Sequence, residues 1–323
     1  MIGPAMMPQT VRTPPPKNPA EGRQVCDLCG SGAWQVFASR GRGGMKLSTV
    51  ICQECGLVYT NPRPTERENS EFYHKRYWGE FKNKTVPDDR FFRRRLPKIR
   101  PLLAQLQPFL RPGVKVLEVG CSVGALLWSM RERVGSTGAF VGVEPHEGHA
   151  QFARDAKGLD VRTGLLNEVS HKLKPASFDL VVMNHVLEHT ISPTDVLLTC
   201  KKLLKPHGHL IVEVPNVEAP GSRLSHFFHH AHHHAFSPRT IERLAQKTGF
   251  KTRRVDALDG DLPRTRLNAI FEKPAGPDAP QPTRFIRDDP VERAAALRRY
   301  ERWYWLTAAS LRKKVTHWRR QRE

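Results

Sequence analysis

Between Val114 and Lys273 the chain alternates short apolar runs with amphipathic stretches, and few architectures accommodate that alternation. The runs VKVLEVG (114–120), AFVGVEP (139–145), FDLVVMN (178–184) and HLIVEVPN (209–216) read as strands of a sheet covered by helices. Between them, Leu126, Leu127, Met130 and Val134 recur at helical spacing, as do Val196, Leu197, Cys200, Leu203 and Leu204. Ser192 before Pro193, and Ser237 before Pro238, each set a capping hydroxyl ahead of a proline at the first helical position. Gly249 ends the second of these helices. Further on, KTRRVDAL and RLNAIFEK, joined by DGDLPRT, read as an antiparallel edge. The expected fold class is therefore α/β, with a mostly parallel sheet and an antiparallel edge.

The flanks differ in kind. Residues 1–22 carry three consecutive prolines, Pro14 to Pro16, and are expected to be a flexible leader. A cysteine-bearing unit spans 23–64, and an aromatic and basic connector with helical character (FYHKRYWGEFKNK, then RFFRRRLPKIRP) spans 65–111. The α/β region occupies 112–273, and a basic extension occupies 274–323. Lys and Arg number 52 against 32 Asp and Glu, a net charge of +20, and most of the excess lies in the flanks. Such a balance suits acidic partners: nucleic acid, phospholipid or phosphorylated substrates. No apolar run approaches the ~20 residues needed to span a bilayer, and the first residues hold no apolar signal core, so neither export nor a spanning helix is expected. Four of the six cysteines fall in two CxxC pairs, as in metal sites of a reducing compartment, and the expected location is the cytoplasm, with peripheral contact at the membrane as a second option.

Cys26, Cys29, Cys52 and Cys55 form C-x2-C-x22-C-x2-C, with Gly30 and Gly56 directly after the two pairs. Four thiolates satisfy tetrahedral zinc, and a glycine after each pair lets the backbone turn tightly around the sulfurs. A closed four-cysteine site has no open position for a substrate, so the expectation is a structural zinc ion in a small ribbon-like module. Cys121 and Cys200 lie in apolar runs and read as buried fillers.

The segment Val116-Leu-Glu-Val-Gly-Cys-Ser-Val-Gly124 closes a strand and opens a helix. Gly120 and Gly124 let a ligand approach the backbone at the carboxyl end of the strand, where open α/β sheets bind ligands. Ser122 stands where a third glycine is usual, and the G-x-G-x-x-G of nicotinamide dinucleotide enzymes is absent, which argues against hydride transfer. Glu144, twenty-four residues past Gly120 at the end of the second strand, is placed to accept hydrogen bonds from the hydroxyls of an adenosine ribose.

VLEVGCSVGALL, GVEP, FDLVVMNHVLEH and LLKPHGHLIVEVPN together resemble the successive motifs of class I S-adenosylmethionine-dependent methyltransferases, over about half of the chain. CDLCGSG through CQECGLVYTNPRP resembles the N-terminal zinc-binding module of methyltransferases from glycan and natural-product pathways, and HHHAFSPRTIERLAQKTGF resembles a late segment of that group. Ser122, and His207 in place of a glycine at the strand-five turn, depart from the pattern. The resemblance implies a Rossmann-like methyltransferase domain in which Glu118, Gly120, Ser122 and Gly124 line the methionine and ribose side of S-adenosylmethionine and Glu144 holds the ribose. It implies further that Gly164 and Leu165 lie beside adenine, and that Asn184 and His185 face the methionine end and the acceptor.

The cofactor brings its own leaving group, so the protein must chiefly align an acceptor and exclude water. An acceptor hydroxyl or activated carbon also needs a base, for which His185, His189 and His232 are the candidates, with Glu188, expected on a helix after the fourth strand, orienting. The run His226, His229, His230, His232, His233, His234 reads as a mobile loop over the substrate, and no metal is assigned to it because no carboxylate stands at ligand spacing nearby in sequence. The favoured acceptor is a small molecule, sugar or lipid-linked glycan. RNA is the alternative, bound by aromatic residues interleaved with Arg93, Arg94 and Arg95. A third reading is a non-catalytic scaffold whose tail, with Trp303, Tyr304, Trp305 and Leu306, meets a partner or a membrane surface.

Overall fold

The computed structural model describes residues 24–82, 86–259, 262–276 and 288–304. The expected leader, Trp305 and Leu306, and residues 260–261 of the DGDLPRT turn lie outside them. Among the described residues, no helix is long and apolar enough to cross a membrane.

The first elements among the described residues are three antiparallel strands, β1 (Trp34–Arg40), β2 (Lys46–Cys52) and β3 (Val58–Thr60). The connector is three helices: α1 (Glu66–Lys75), α2 (Tyr77–Lys82) and α3 (Asp89–Leu106). Thr65 and Glu68 close a capping box on α1, and the Asp88 side chain accepts from the Phe91 amide at the start of α3. Along α3, Ile99, Leu102, Leu103 and Leu106 recur at helical spacing and are buried in the core under the main sheet.

The α/β region follows as β4 (Lys115–Val119), α4 (Ala125–Val134), β5 (Ala139–Glu144), α5 (Glu147–Lys157), β6 (Asp160–Thr163), α6 (Leu166–Val169) and β7 (Phe178–Asn184). It continues through α7 (Pro193–Leu203), β8 (Leu204–Pro215), α8 (Leu224–Phe227), β9 (His234–Ala235), α9 (Pro238–Lys247), β10 (Lys251–Asp259) and β11 (Leu262–Glu272), and α10 (Pro290–Trp303) comes last. Seven strands form one sheet in the order β10-β11-β8-β7-β4-β5-β6. The five from β8 to β6 run parallel, β11 runs against β8, and β10 runs against β11. The α/β fold with a mostly parallel sheet and an antiparallel edge is thus as expected.

Successive strand residues point to opposite faces, and here both faces are dry. Leu117, Val181 and Val212 enter one core, while Val116, Val182 and Ile211 enter the other. Each such buried side chain contributes about 1.5–3 kcal/mol relative to exposure. Ser192 and Ser237 cap α7 and α9, as their positions ahead of proline predict.

Three details differ from expectation. The strand expected from His209 begins at Leu204, with His207 at φ +60° in the turn and its Nδ1 3.1 Å from Glu272 Oε1. Leu187–His189 is a single 3-10 turn and not a longer helix. The histidine run is not a free-standing loop: Phe227, Phe228, His229, His233 and His234 are buried, and β9 pairs with β3 as the fourth strand of the N-terminal sheet. The cysteine-bearing unit therefore shares its sheet with a segment that lies between β8 and α9. The start of the basic extension docks on the same unit, with Ala294 and Leu297 of α10 packed among Leu47, Ile51 and Phe227. Arg293 anchors it by ion pairs of 2.6 Å to both Asp288 and Glu218.

Candidate functional site

The carboxyl ends of β4, β5 and β7 open into a cavity of about 590 Å³. At β4 the chain must leave the sheet at once, and Gly120 does so at φ +74°, with its amide 2.7 Å from the Val143 carbonyl of β5. A Cβ on Gly120 would stand 2.4 Å from Val186 Cγ2, so glycine alone fits the cradle. Ser122, the departure from the glycine pattern, adopts φ +53° and is held there by its own bonds. Its amide donates to Glu144 Oε2 at 2.8 Å, and its hydroxyl lies 3.2 Å from His149 Nδ1.

Glu144 is 3 % exposed, and burial raises its pKa while bonds from the His146 and Ser122 amides oppose the rise. Its Oε1 also accepts from the Trp78 indole at 3.4 Å. Trp78 stacks on His149 with ring centroids 3.9 Å apart. Glu118 and Gly124 lie behind the loop and do not line the cavity. Gly124 caps α4 at φ +74°, where a Cβ would meet Leu159 at 2.3 Å. Glu118 is buried, its pKa is pushed up to about 8 by desolvation, and its Oε2 has no hydrogen-bond partner. Gly164 and Leu165 line the wall after β6, and Asn184, at the end of β7, holds a buried Oδ1 without a partner.

The far end of the cavity is ionic. His185 sits at φ +55°, with Nδ1 3.1 Å from Glu188 Oε1 and Nε2 3.4 Å from Glu213 Oε1. Burial lowers its pKa, but the two carboxylates outweigh that and push it up to about 9. Glu213 is also paired with Arg266 at 2.9 Å. His189 Nδ1 donates to the Ala231 carbonyl at 2.5 Å, and its ring centroid is 4.8 Å from that of His232. The His232 ring centroid lies 3.8 Å from that of His229 with the rings tilted by 41°, and burial, reinforced by the neighbouring His189, His229 and His185 rings, drives its pKa well below the ordinary value.

The cavity thus brings together Gly120, Ser122, Glu144, Gly164, Leu165, Asn184, His185, His189 and His232. Sequence reasoning missed Tyr73, Tyr77, Trp78 and Arg95, which the connector lends to the cavity wall. The signal was the aromatic-basic stretch itself, of which these four residues face the site while most of its basic residues face solvent. Exposed Arg90, Arg93 and Arg94 lie outside this cavity.

Cys26, Cys52 and Cys55 are buried, and the four sulfurs of the cysteine unit all lie within 4.8 Å of one another. Cys26 and Cys55 are 3.5 Å apart, as are Cys29 and Cys52. The glycines turn as the spacing predicts: Gly30 and Gly56, at φ +75° and +73°, close back on the Cys26 and Cys52 carbonyls. Cys121 and Cys200 are buried, as expected of fillers.

Residues 91–255, about half of the chain, match the family model described as a methyltransferase domain. Among curated proteins, the chain is 32% identical over 165 residues to a ubiquinone biosynthesis O-methyltransferase of Vibrio cholerae, covering 48% of this chain and 62% of that protein. It is 37% identical over 106 residues to the protein of the same name from Photorhabdus laumondii, covering 32% and 44%. The chain spans about half the length of the curated relatives it matches. Among solved structures it is similar to an S-adenosylmethionine-dependent methyltransferase from Mesorhizobium loti, at 16% identity and a TM-score of 0.46, covering 54% of this chain and 97% of that one. The family match runs from α3 into β10, across all the strands whose ends form the cavity, and the chain belongs to the methyltransferase-domain family of class I, S-adenosylmethionine-dependent enzymes.

Proposed function

We propose that the protein transfers the methyl group of S-adenosylmethionine to an oxygen of a small, hydroxyl-bearing acceptor such as a sugar, a lipid-linked glycan or another small molecule. The observation that carries this reading is one cavity running from the Gly120–Glu144 cradle to the histidine end. The residues fit the cofactor: a buried carboxylate at the end of β5, a turn with no room for a Cβ, and the orphaned Asn184 Oδ1. The curated relatives are ubiquinone biosynthesis O-methyltransferases, which supports oxygen as the acceptor atom.

S-Adenosylmethionine supplies a methyl group on a sulfonium leaving group, so this chain's residues bind, orient and handle one proton. Glu144 would hold the ribose, Gly164 and Leu165 would flank adenine, and Asn184 would meet the methionine end. Tyr73, Tyr77 and Trp78 close the wall against water. His185 has both ring nitrogens committed to carboxylates, so it orients and does not take the acceptor's proton. His189 and His232 are then the histidines that meet the acceptor oxygen at this end of the cavity.

The four cysteines hold a structural zinc ion on this reading. Their sulfur spacing and the burial of Cys26, Cys52 and Cys55 suit a closed tetrahedral thiolate site. Isothermal titration with S-adenosylmethionine and S-adenosylhomocysteine tests the cofactor, and a labelled methyl donor presented with nucleotide sugars, glycans, catechols and RNA tests the acceptor. Absence of binding to both cofactor forms would return the chain to the scaffold reading, and methylation of RNA alone would replace the small-molecule acceptor.

A further inference from the structure

The histidine run has no carboxylate near it in sequence, but the fold supplies one. The 3-10 turn after β7 carries Glu188 and His189 to the segment that holds His232, and the potential ligand atoms of these three residues lie within 4.8 Å of one another. Glu188 is 1 % exposed, and its Oε2 is buried without a hydrogen-bond partner, although Oε1 is held by His185. A carboxylate oxygen left bare in the interior is costly unless something positive meets it. His189 has the orientation of a metal ligand: its Nδ1 donates to a backbone carbonyl, which fixes the ring and directs Nε2 away from that bond. The segment is rigidly placed, since the His233 amide donates to the Glu188 carbonyl at 2.8 Å and the Thr60 hydroxyl donates to the His232 carbonyl at 3.2 Å.

We propose that Glu188, His189 and His232 bind a divalent transition-metal ion at the acceptor end of the cavity, distinct from the cysteine cluster. Two imidazoles and one carboxylate suit zinc, cobalt, iron or manganese, whereas magnesium and calcium prefer sites built from oxygen alone. Three protein ligands leave positions open. All three line the cavity, so those positions face the acceptor. The inference rests on the methyltransferase reading for its chemistry and deepens it: the acceptor presents two adjacent oxygens, as a vicinal diol, catechol or 2-hydroxy acid does. One hydroxyl, acidified by the ion, loses its proton to solvent. Its oxygen then bonds to the methyl carbon as the carbon–sulfur bond breaks, and that electron pair returns to sulfur as the thioether.

The test uses the full chain with its cysteine cluster already loaded with zinc, titrated with cobalt(II) in the presence of S-adenosylhomocysteine. Metal analysis should find a second equivalent whose visible absorption lacks the intense thiolate charge-transfer band. His232→Ala and Glu188→Gln should lose that second equivalent while keeping the first, with excess magnesium failing to displace it from the wild-type protein. No second equivalent in the wild type, a second equivalent persisting in both variants, or ready displacement by magnesium would each overturn the site. Metal stoichiometry is read independently of S-adenosylhomocysteine binding, so a failed cofactor reading and a failed metal site give different results. If His232→Ala unfolds, loss of the second equivalent in folded Glu188→Gln decides the matter.

Discussion

Glu144 offers the sharpest quantitative test of the cofactor site. An ionised carboxylate has about four acceptor positions. Three are already taken, by the Ser122 amide at 2.8 Å, the His146 amide at 3.1 Å and the Trp78 indole at 3.4 Å. Room remains for one strong bond from a ribose hydroxyl, and a hydrogen bond to a charged group contributes about 1.5–3 kcal/mol. At about 1.4 kcal/mol per factor of ten, Glu144→Ala should weaken S-adenosylhomocysteine binding by roughly ten- to a hundredfold. Glu144→Gln should be little better, because either orientation of its amide turns an NH2 group toward a backbone N–H donor. The alanine variant also leaves two loop amides without their acceptor, at about 1–3 kcal/mol each, so its melting temperature should fall as well. Calorimetric titration well below that melting temperature separates the two effects. A folded Glu144→Ala protein with unchanged affinity would refute the placement of ribose at β5.

Three further outcomes are expected. Glu118 titrates near 8 in the folded protein against about 4.5 unfolded, so folding takes up a proton between those values and stability falls as pH rises through that window. The slope is at most about 1.4 kcal/mol per pH unit, and Glu118→Gln should flatten it in denaturant titrations from pH 5 to 9; an unchanged slope would show that Glu118 is not its source. Thr60→Val removes the hydroxyl bond to the His232 carbonyl, about 1 kcal/mol, and should lower kcat several-fold with little change in S-adenosylhomocysteine affinity, while Thr60→Ser restores it. Purified protein should carry zinc on its cysteines, and Cys52→Ala should lower both zinc content and melting temperature; full zinc content in that variant would remove Cys52 from the site.

Much of the cofactor half was legible because it is local. A strand, a glycine that leaves the sheet and an acidic residue at the end of the next strand are set by short-range sterics, and Gly120 and Glu144 stand where that pattern puts them. Cysteine pairs followed by glycines are equally local, and Cys26, Cys29, Cys52 and Cys55 do meet. The histidine run misled for the same reason: read alone it is a polar loop, and its burial depends on β9 finding β3, 174 residues earlier when counted from His234 to Thr60.

By itself the sequence determined the α/β alternation, the turn after β4 and the two cysteine knuckles, since each follows from backbone geometry within one or two elements. Only the tertiary structure decided which distant groups share a cavity. It folded Trp78 onto Glu144 across 66 residues and brought Glu188 and His189 to His232, through pairings whose energy comes from burial across the whole sheet.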